Sequence, residues 1–342
     1  MLRKILTLST AVCGCITLTA QSDSSKKATT IISGSVDAYY RYSFSDAPSK
    51  TNNFTSFTHS QNSFELGMAS IKAEHTMGRA TAVADIGFGR RAQEFSYNDA
   101  GSLAAIKQMY LSYAVSDNVK ITMGKWATHV GYELVDAPGN RNYSMSYGFS
   151  YGPFFHTGVK ADVSLGGKSA LMIGVSNPTD HSTTTTSAKF ILAQFSTAFA
   201  DDRWKVYANF QGGNGTTQYN IVTTGALADK WSIAYDGSLQ SYCLLGQRSS
   251  WKSHAAYLNY DPIPSLGFTL RQDYFDDRKL TPVGIGGKVW ASTLSANLKK
   301  DNLTIIPEIR IDQSAQEVFF KGASSTNTKS NIAFLIAAVY KF

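Results

Sequence analysis

The stretch Asn331 to Phe342 reads NIAFLIAAVYKF and ends the chain on a phenylalanine. One parity holds Ile332, Phe334, Ile336, Ala338, Tyr340 and Phe342, and the other holds Asn331, Ala333, Leu335, Ala337, Val339 and Lys341. Successive side chains of a strand point to opposite faces, so this sustained two-residue alternation predicts a β-strand. A tilted strand needs roughly nine to eleven residues to cross a bilayer, and this one is long enough. Tyr340 and Phe342 stand where an interfacial aromatic girdle falls. Chain ends fray unless something ties them down, which sets a terminal phenylalanine apart from the end of an ordinary soluble strand. The reading is an outer-membrane β-barrel whose closing strand ends the chain, with Tyr340 and Phe342 as its assembly signal.

The other end agrees. Arg3 and Lys4 precede a mostly apolar run from Ile5 to Leu18, and Thr19-Ala20-Gln21 offers a cleavage point. Residues 1–20 therefore read as a signal peptide, 21–30 as a short polar lead and 31–342 as the barrel. A rival reading makes Cys15 a lipidated first residue, although Val12-Cys13-Gly14-Cys15 matches a lipoprotein signal poorly. Cleavage removes Cys13 and Cys15 and leaves Cys243 alone, so no intramolecular disulfide is expected. His59, His75, His129, His156, His181 and His254 show no ligand spacing, and neither metal nor cofactor is expected. The net charge of +7 falls to about +5 without the signal, with no basic run that suggests nucleic acid.

Eighteen Tyr, 19 Phe and 27 Gly against 8 Pro suit strands with aromatic belts and tight turns. Strand-like segments cover 31–45, 62–76, 79–91, 104–115, 118–126, 154–165, 168–177 and 187–199. Others cover 203–212, 216–226, 229–241, 251–260, 265–275, 286–299, 302–312 and 330–342, about sixteen in all. Links after even strands are short, such as Ser116-Asp117 and Lys300-Asp301. Links after odd strands are long: 46–61, 92–103, 127–153, 178–186, 242–250, 276–285 and 313–329, with Gly213-Asn214-Gly215 as the exception. Short turns at one end and long loops at the other mark a transmembrane barrel, and an even strand count puts both termini on the periplasmic side. A soluble sandwich would share the alternation without this sorting of loops.

Charge fixes which parity faces inward, because an unpaired charge on the lipid face costs roughly 2–4 kcal/mol at the midplane. The lumen wall then collects Asp37, Arg41, Asp85, Lys120, Lys160, Asp162, Lys205, Asp236, Arg271, Asp273, Glu308, Arg310 and Asp312. A water-filled lumen solvates them, and sixteen strands leave room for one. Segment 62–76 breaks the rule, since Phe64, Leu66 and Met68 share parity with Lys72 and Glu74, and a bulge is expected there. The longest link, 127–153, offers Glu133, Asp136, Arg141, Tyr143 and Tyr147 as candidates for a pore constriction if it folds inward.

In the block 118–162, a strand ending in Met123-Gly124-Lys125 leads to Gly131-Tyr132-Glu133, Asn142-Tyr143-Ser144, Pro153-Phe154 and His156-Thr157-Gly158. The block resembles the β-barrel porin 2 family, the OmpL-like outer-membrane proteins of Gram-negative bacteria. The opening Gly34-Ser35-Val36-Asp37-Ala38-Tyr39-Tyr40-Arg41-Tyr42 is similar as well. The resemblance implies a barrel and passive transport, with no particular solute. The expected partners are outer-membrane lipid, the barrel-assembly machinery and small hydrophilic solutes, with a homotrimer left open. The alternatives are a lipase-like outer-membrane enzyme and a structural or adhesive barrel with a closed lumen. The enzyme needs Ser and His side by side, and Ser253 and His254 are neighbours in a strand and so point to opposite faces.

Overall fold

The computed structural model describes residues 28–47, 52–244, 246–277, 285–322 and 326–342. The expected signal peptide, with Cys13 and Cys15, lies outside the described residues. The first ten strands are β1 (Thr29–Ser43), β2 (Ser63–Met77), β3 (Ala80–Phe88), β4 (Ile106–Ala114), β5 (Val119–Ala127), β6 (Phe155–Gly166), β7 (Ser169–Ser176), β8 (Phe190–Phe199), β9 (Trp204–Gly213) and β10 (Thr216–Ala228). They continue as β11 (Trp231–Leu244), β12 (Gln247–Ile263), β13 (Leu266–Asp276), β14 (Lys288–Lys300), β15 (Leu303–Ser314), β16 (Phe319–Lys321), β17 (Thr326–Thr328) and β18 (Ser330–Lys341). Each barrel strand pairs antiparallel with its neighbours, and β18 closes the ring against β1. β16 and β17 form a small separate hairpin in the link before β18, so sixteen strands make the barrel. Two short helices, α1 (Arg90–Phe95) and α2 (Tyr147–Tyr151), lie in long links.

The carboxy terminus is tied down. The Phe342 amide donates to the Gly34 carbonyl at 3.0 Å and the Gly34 amide donates to the Phe342 carbonyl at 2.9 Å. Glycine at 34 leaves space for the terminal ring, because a Cβ there would lie 2.5 Å from Phe342 Cζ and from the Ser70 carbonyl oxygen.

The start of β1 and Phe342 lie at one rim, here the near rim, where the connections are short turns. The far rim carries the long connections 44–62, 89–105, 128–154 and 177–189. The link expected at 242–250 is instead a tight turn at Gly246, whose φ is +78. The ladder continues through Tyr242 with Ser249 and Cys243 with Arg248. The polar residues of this extension hid it from a reading based on apolar alternation.

Outward residues form an aliphatic band that includes Leu111, Ile173, Ile221, Leu270, Leu294 and Ile336, all exposed. Aromatic residues flank it: Tyr113, Phe199, Trp231 and Phe342 toward the near rim, Phe44, Phe64, Phe88 and Trp290 toward the far rim. Such girdles hold a barrel at the two membrane interfaces. The misfit in β2 is the expected bulge. Ala69 pairs with Val36 but Leu66 pairs with Ala38, so Gly67 and Met68 share one partner position. Phe64 and Leu66 are therefore exposed, Met68 is buried, and Lys72 and Glu74 turn inward beyond the bulge.

Candidate functional site in the barrel lumen

The link from β5 to β6 crosses the lumen. Its base closes where the Thr128 amide donates to the Phe154 carbonyl at 2.9 Å. From there it takes hydrogen-bond partners around the wall. The Gly131 amide donates to Asn220 Oδ1 of β10 at 3.2 Å and the Tyr132 amide to Asp236 Oδ2 of β11 at 2.9 Å. Asn142 Nδ2 donates to Ser295 Oγ of β14 at 2.6 Å, and the Tyr143 amide to Glu308 Oε2 of β15 at 3.0 Å. The Tyr143 hydroxyl donates to Asp37 Oδ1 of β1 at 2.5 Å, and the Tyr147 hydroxyl to Asp312 Oδ1 at 2.9 Å. Burial raises both phenol pKa values well above their usual range, so each hydroxyl keeps its proton as a donor.

Two arginines fasten the segment from the wall. Arg271 Nη1 meets Glu133 Oε1 at 2.8 Å and donates to the Ser144 carbonyl at 2.6 Å, while its Nε reaches Asp273 at 3.0 Å. Arg310 holds Asp312 at 2.9 Å and donates from Nη1 to the Met145 carbonyl at 2.8 Å. The second oxygen of Glu133 accepts from the Ser146 amide at 2.7 Å. Glu133 thus serves the wall and the turn of its own loop together. Neighbouring links add to the plug: Arg91 of α1 donates to the carbonyls of Val135 and Tyr143, and Arg41 donates to the Ser60 carbonyl at 2.8 Å.

The five candidates from this link do not all meet. Glu133, Tyr143 and Tyr147 join the buried network, each within hydrogen-bond reach of a charged wall residue. Asp136 pairs instead with Lys107 at 2.5 Å. Arg141 forms a two-point pair with Asp261 near the near rim, at 2.7 and 3.1 Å. Of the wall charges, Asp37, Arg41, Asp85, Asp236, Arg271, Asp273, Glu308, Arg310 and Asp312 are buried. That corrects the expectation of a wall bathed by lumen water, because the loop covers this half. Lys120, Lys160, Asp162 and Lys205, on the opposite wall, keep solvent contact. There Asp162 lies 3.8 Å from Lys120 and 3.3 Å from Lys160.

Lys107 was not legible from parity. The β3–β4 register slips between Asp85 and Ile86, a bulge that turns Lys107 inward to meet Asp85 at 3.1 Å as well as Asp136. His129 and His156, far apart in sequence, come together in the fold. Their rings lie 5.2 Å apart, and burial lowers the His129 pKa to about 4, which keeps it neutral. Ser253 is buried toward the lumen while His254 is exposed outside, so the two form no catalytic pair. Among the described residues no group of three or more His, Cys, Asp or Glu is placed to hold a metal.

Cavities remain on both sides of the crossing loop. One of about 250 Å³ lies at the near rim beside Arg141 and Asn297, and one of about 780 Å³ opens at the far rim beside Tyr97, Tyr151 and Trp251.

A family model described as "Putative beta-barrel porin-2, OmpL-like" matches residues 29–342. No curated protein matches the chain. Among solved structures, the outer membrane channel DcaP of Acinetobacter baumannii is similar at TM-score 0.64 and 13% identity, covering 92% of this chain and 97% of that one. An anion-selective porin from Comamonas acidovorans gives 0.62 and 11%, covering 92% and 100%. The trimer form of OmpT, an outer membrane protein of Vibrio cholerae, gives 0.62 and 11%, covering 92% and 99%. At these identities the likeness is one of fold.

Proposed function

The chain belongs to the OmpL-like β-barrel porin-2 family, and from that premise we propose that it is an outer-membrane porin through which small hydrophilic solutes diffuse without chemistry. The observation that carries this reading is the β5–β6 link, bonded across the lumen to wall residues of β1, β10, β11, β13, β14 and β15. A loop fixed inside a barrel narrows it, and selectivity then follows from the size of the passage and the charges that face it. Glu133, Tyr143 and Tyr147, all buried, anchor the constricting loop to the wall through Arg271, Asp37 and Asp312. Lys120, Lys160, Asp162 and Lys205 line the open side, where three lysines to one aspartate favour anions modestly.

In this reading residues 1–20 are removed on export, the short turns and both termini face the periplasm, and the long connections face outward. The barrel-assembly machinery inserts the chain, and the outward aliphatic band meets lipid. A homotrimer fits the reading, since one protein of like fold is recorded in a trimer form. The protein is not an enzyme on this account, for Ser253 and His254 are on opposite sides of the wall.

Planar bilayers decide the matter. Discrete conductance steps from the purified protein are expected. Silence accompanied by ester hydrolysis would favour the enzyme. Silence in both assays would favour a barrel with a closed lumen, a reading supported by the complete burial of Arg271 behind the loop.

A further inference from the structure

The far-rim cavity of about 780 Å³ falls within the roughly 300–1,000 Å³ typical of small-ligand sites. Its character differs from that of the charged network below it. On the inner wall Gln211 pairs in register with Gln218, Gln218 with Gln240, and Gln240 with Trp251. Three amides and an indole thus form one row across β9 to β12. Gln211 Nε2 donates to Gln218 Oε1 at 2.7 Å. The side-chain oxygens of Gln211 and Gln240, both bordering the cavity, have no partner among the described residues. A buried acceptor left unpaired costs roughly 1–3 kcal/mol. Tyr97, Tyr151, Tyr242 and Trp251 supply aromatic surface around the same space.

The charged groups of this wall are already engaged. Glu94 lies 3.2 Å from His59 and accepts from the Phe57 amide, and Arg90 pairs with Glu65 at 3.5 Å. Asp180 accepts from the Phe154 and Phe155 amides at 2.7 and 2.9 Å, and from the Tyr97 hydroxyl at 3.1 Å. A charged guest would have to break one of these arrangements. A neutral one need not.

Resting on the porin reading, we propose that the far-rim vestibule is a binding site for a neutral, polyhydroxylated solute of the saccharide class. A sugar ring offers an apolar C–H face to aromatic rings and hydroxyls that donate to amide oxygens. The vestibule presents both in one cavity with no uncommitted charge.

Maltose is the probe. In a bilayer carrying KCl current, maltose should interrupt the current in a concentration-dependent manner, while succinate at equal concentration should not. Gln240→Leu and Tyr97→Ala should each raise the half-blocking concentration at least tenfold and leave KCl conductance within twofold. Tyr97 is 58% exposed but its hydroxyl bonds Asp180, so Tyr97→Phe, which loses that bond and keeps the ring, is the control and should bind maltose as wild type does. Calorimetric titration of maltose into the detergent-solubilised full chain should give the same ranking without relying on conduction. A protein that conducts KCl yet shows neither block nor heat with maltose overturns the proposal. So does block by succinate that survives in Gln240→Leu. Maltose binding by a protein that never conducts would keep the site and remove the porin reading.

Discussion

Arg271 is fully buried and touches Glu133, Asp273 and the carbonyls of Ser144 and Met145. Removing one member of a buried ion pair costs about 3–5 kcal/mol, because it strands the partner charge away from water. In Arg271→Met the stranded charges are Glu133 and Asp273, and they regain water most readily if the loop leaves the wall. We expect limited proteolysis to cut this variant between Gly131 and Tyr147 while wild type resists, with the barrel itself intact on heat-modifiability gels. Equal resistance in both proteins would mean that the loop is held without Arg271. Asp180 makes a second case, with the opposite bearing on charge. Burial raises its pKa from 3.8 to about 6, against the hydrogen bonds that it accepts. A carboxyl whose folded pKa is raised contributes stability that is whole below the unfolded value and is lost as pH climbs through the folded one. The loss lies between about pH 4 and 6 and is on the order of 3 kcal/mol. Asp180→Asn keeps the acceptor for Phe154 and Phe155 but cannot ionise. Its urea midpoint should stay flat over that window while wild type declines, and parallel pH slopes would rule out this account.

At the scale of the element, strands were far more legible than the loop's docking. Alternation and loop length are local properties of a chain, and they placed all sixteen barrel strands to within a few residues. The bulge at Gly67 and Met68 announced itself because apolar Phe64 and charged Lys72 could not share a face. The bulge at Lys107 gave no such signal, since Ile106-Lys107-Gln108 violates no simple pattern. The docking of 128–154 depends on partners more than a hundred residues away, such as Asp37 and Glu308. Its length flagged it as a candidate, and only the folded ring shows that Glu133 and Arg141 part company. Shortening the segment between Gly131 and Tyr147 should raise single-channel conductance, because it removes chain from the lumen. Arg141→Glu would set a carboxylate against Asp261. It should shift ion preference toward cations at low salt, an effect that fades as ionic strength shortens the screening length. Unchanged conductance and reversal potential after both changes would move selectivity to the open wall of Lys120, Lys160 and Lys205.

For the molecule as a whole, closure is the decisive event, because an open sheet would leave an unpaired edge inside lipid. β18 pairs with β15 on one side and β1 on the other, so every edge is satisfied only when the last strand is seated. Phe342 completes that seam with its backbone bonds to Gly34, and its ring, 54% exposed, lies on the outer surface over Gly34. Deleting Phe342, or replacing it with Asp, should therefore reduce the heat-modifiable folded protein in the outer membrane, while Phe342→Tyr should retain it. Two causes could produce that defect: loss of a terminal signal read by the assembly machinery, or loss of the seam's own packing. Folding without the machinery separates them, whereas Gly34→Ala would not, since its Cβ would also lie 2.5 Å from the Ser70 carbonyl oxygen of β2. Reduced folding of the Phe342 deletion into detergent micelles, without any machinery present, would assign the effect to the seam. Normal micelle folding of the Phe342 deletion, with failure in cells, would assign it to recognition of the terminal aromatic. Normal levels of folded protein in cells for the deletion would show that the barrel closes without its last residue.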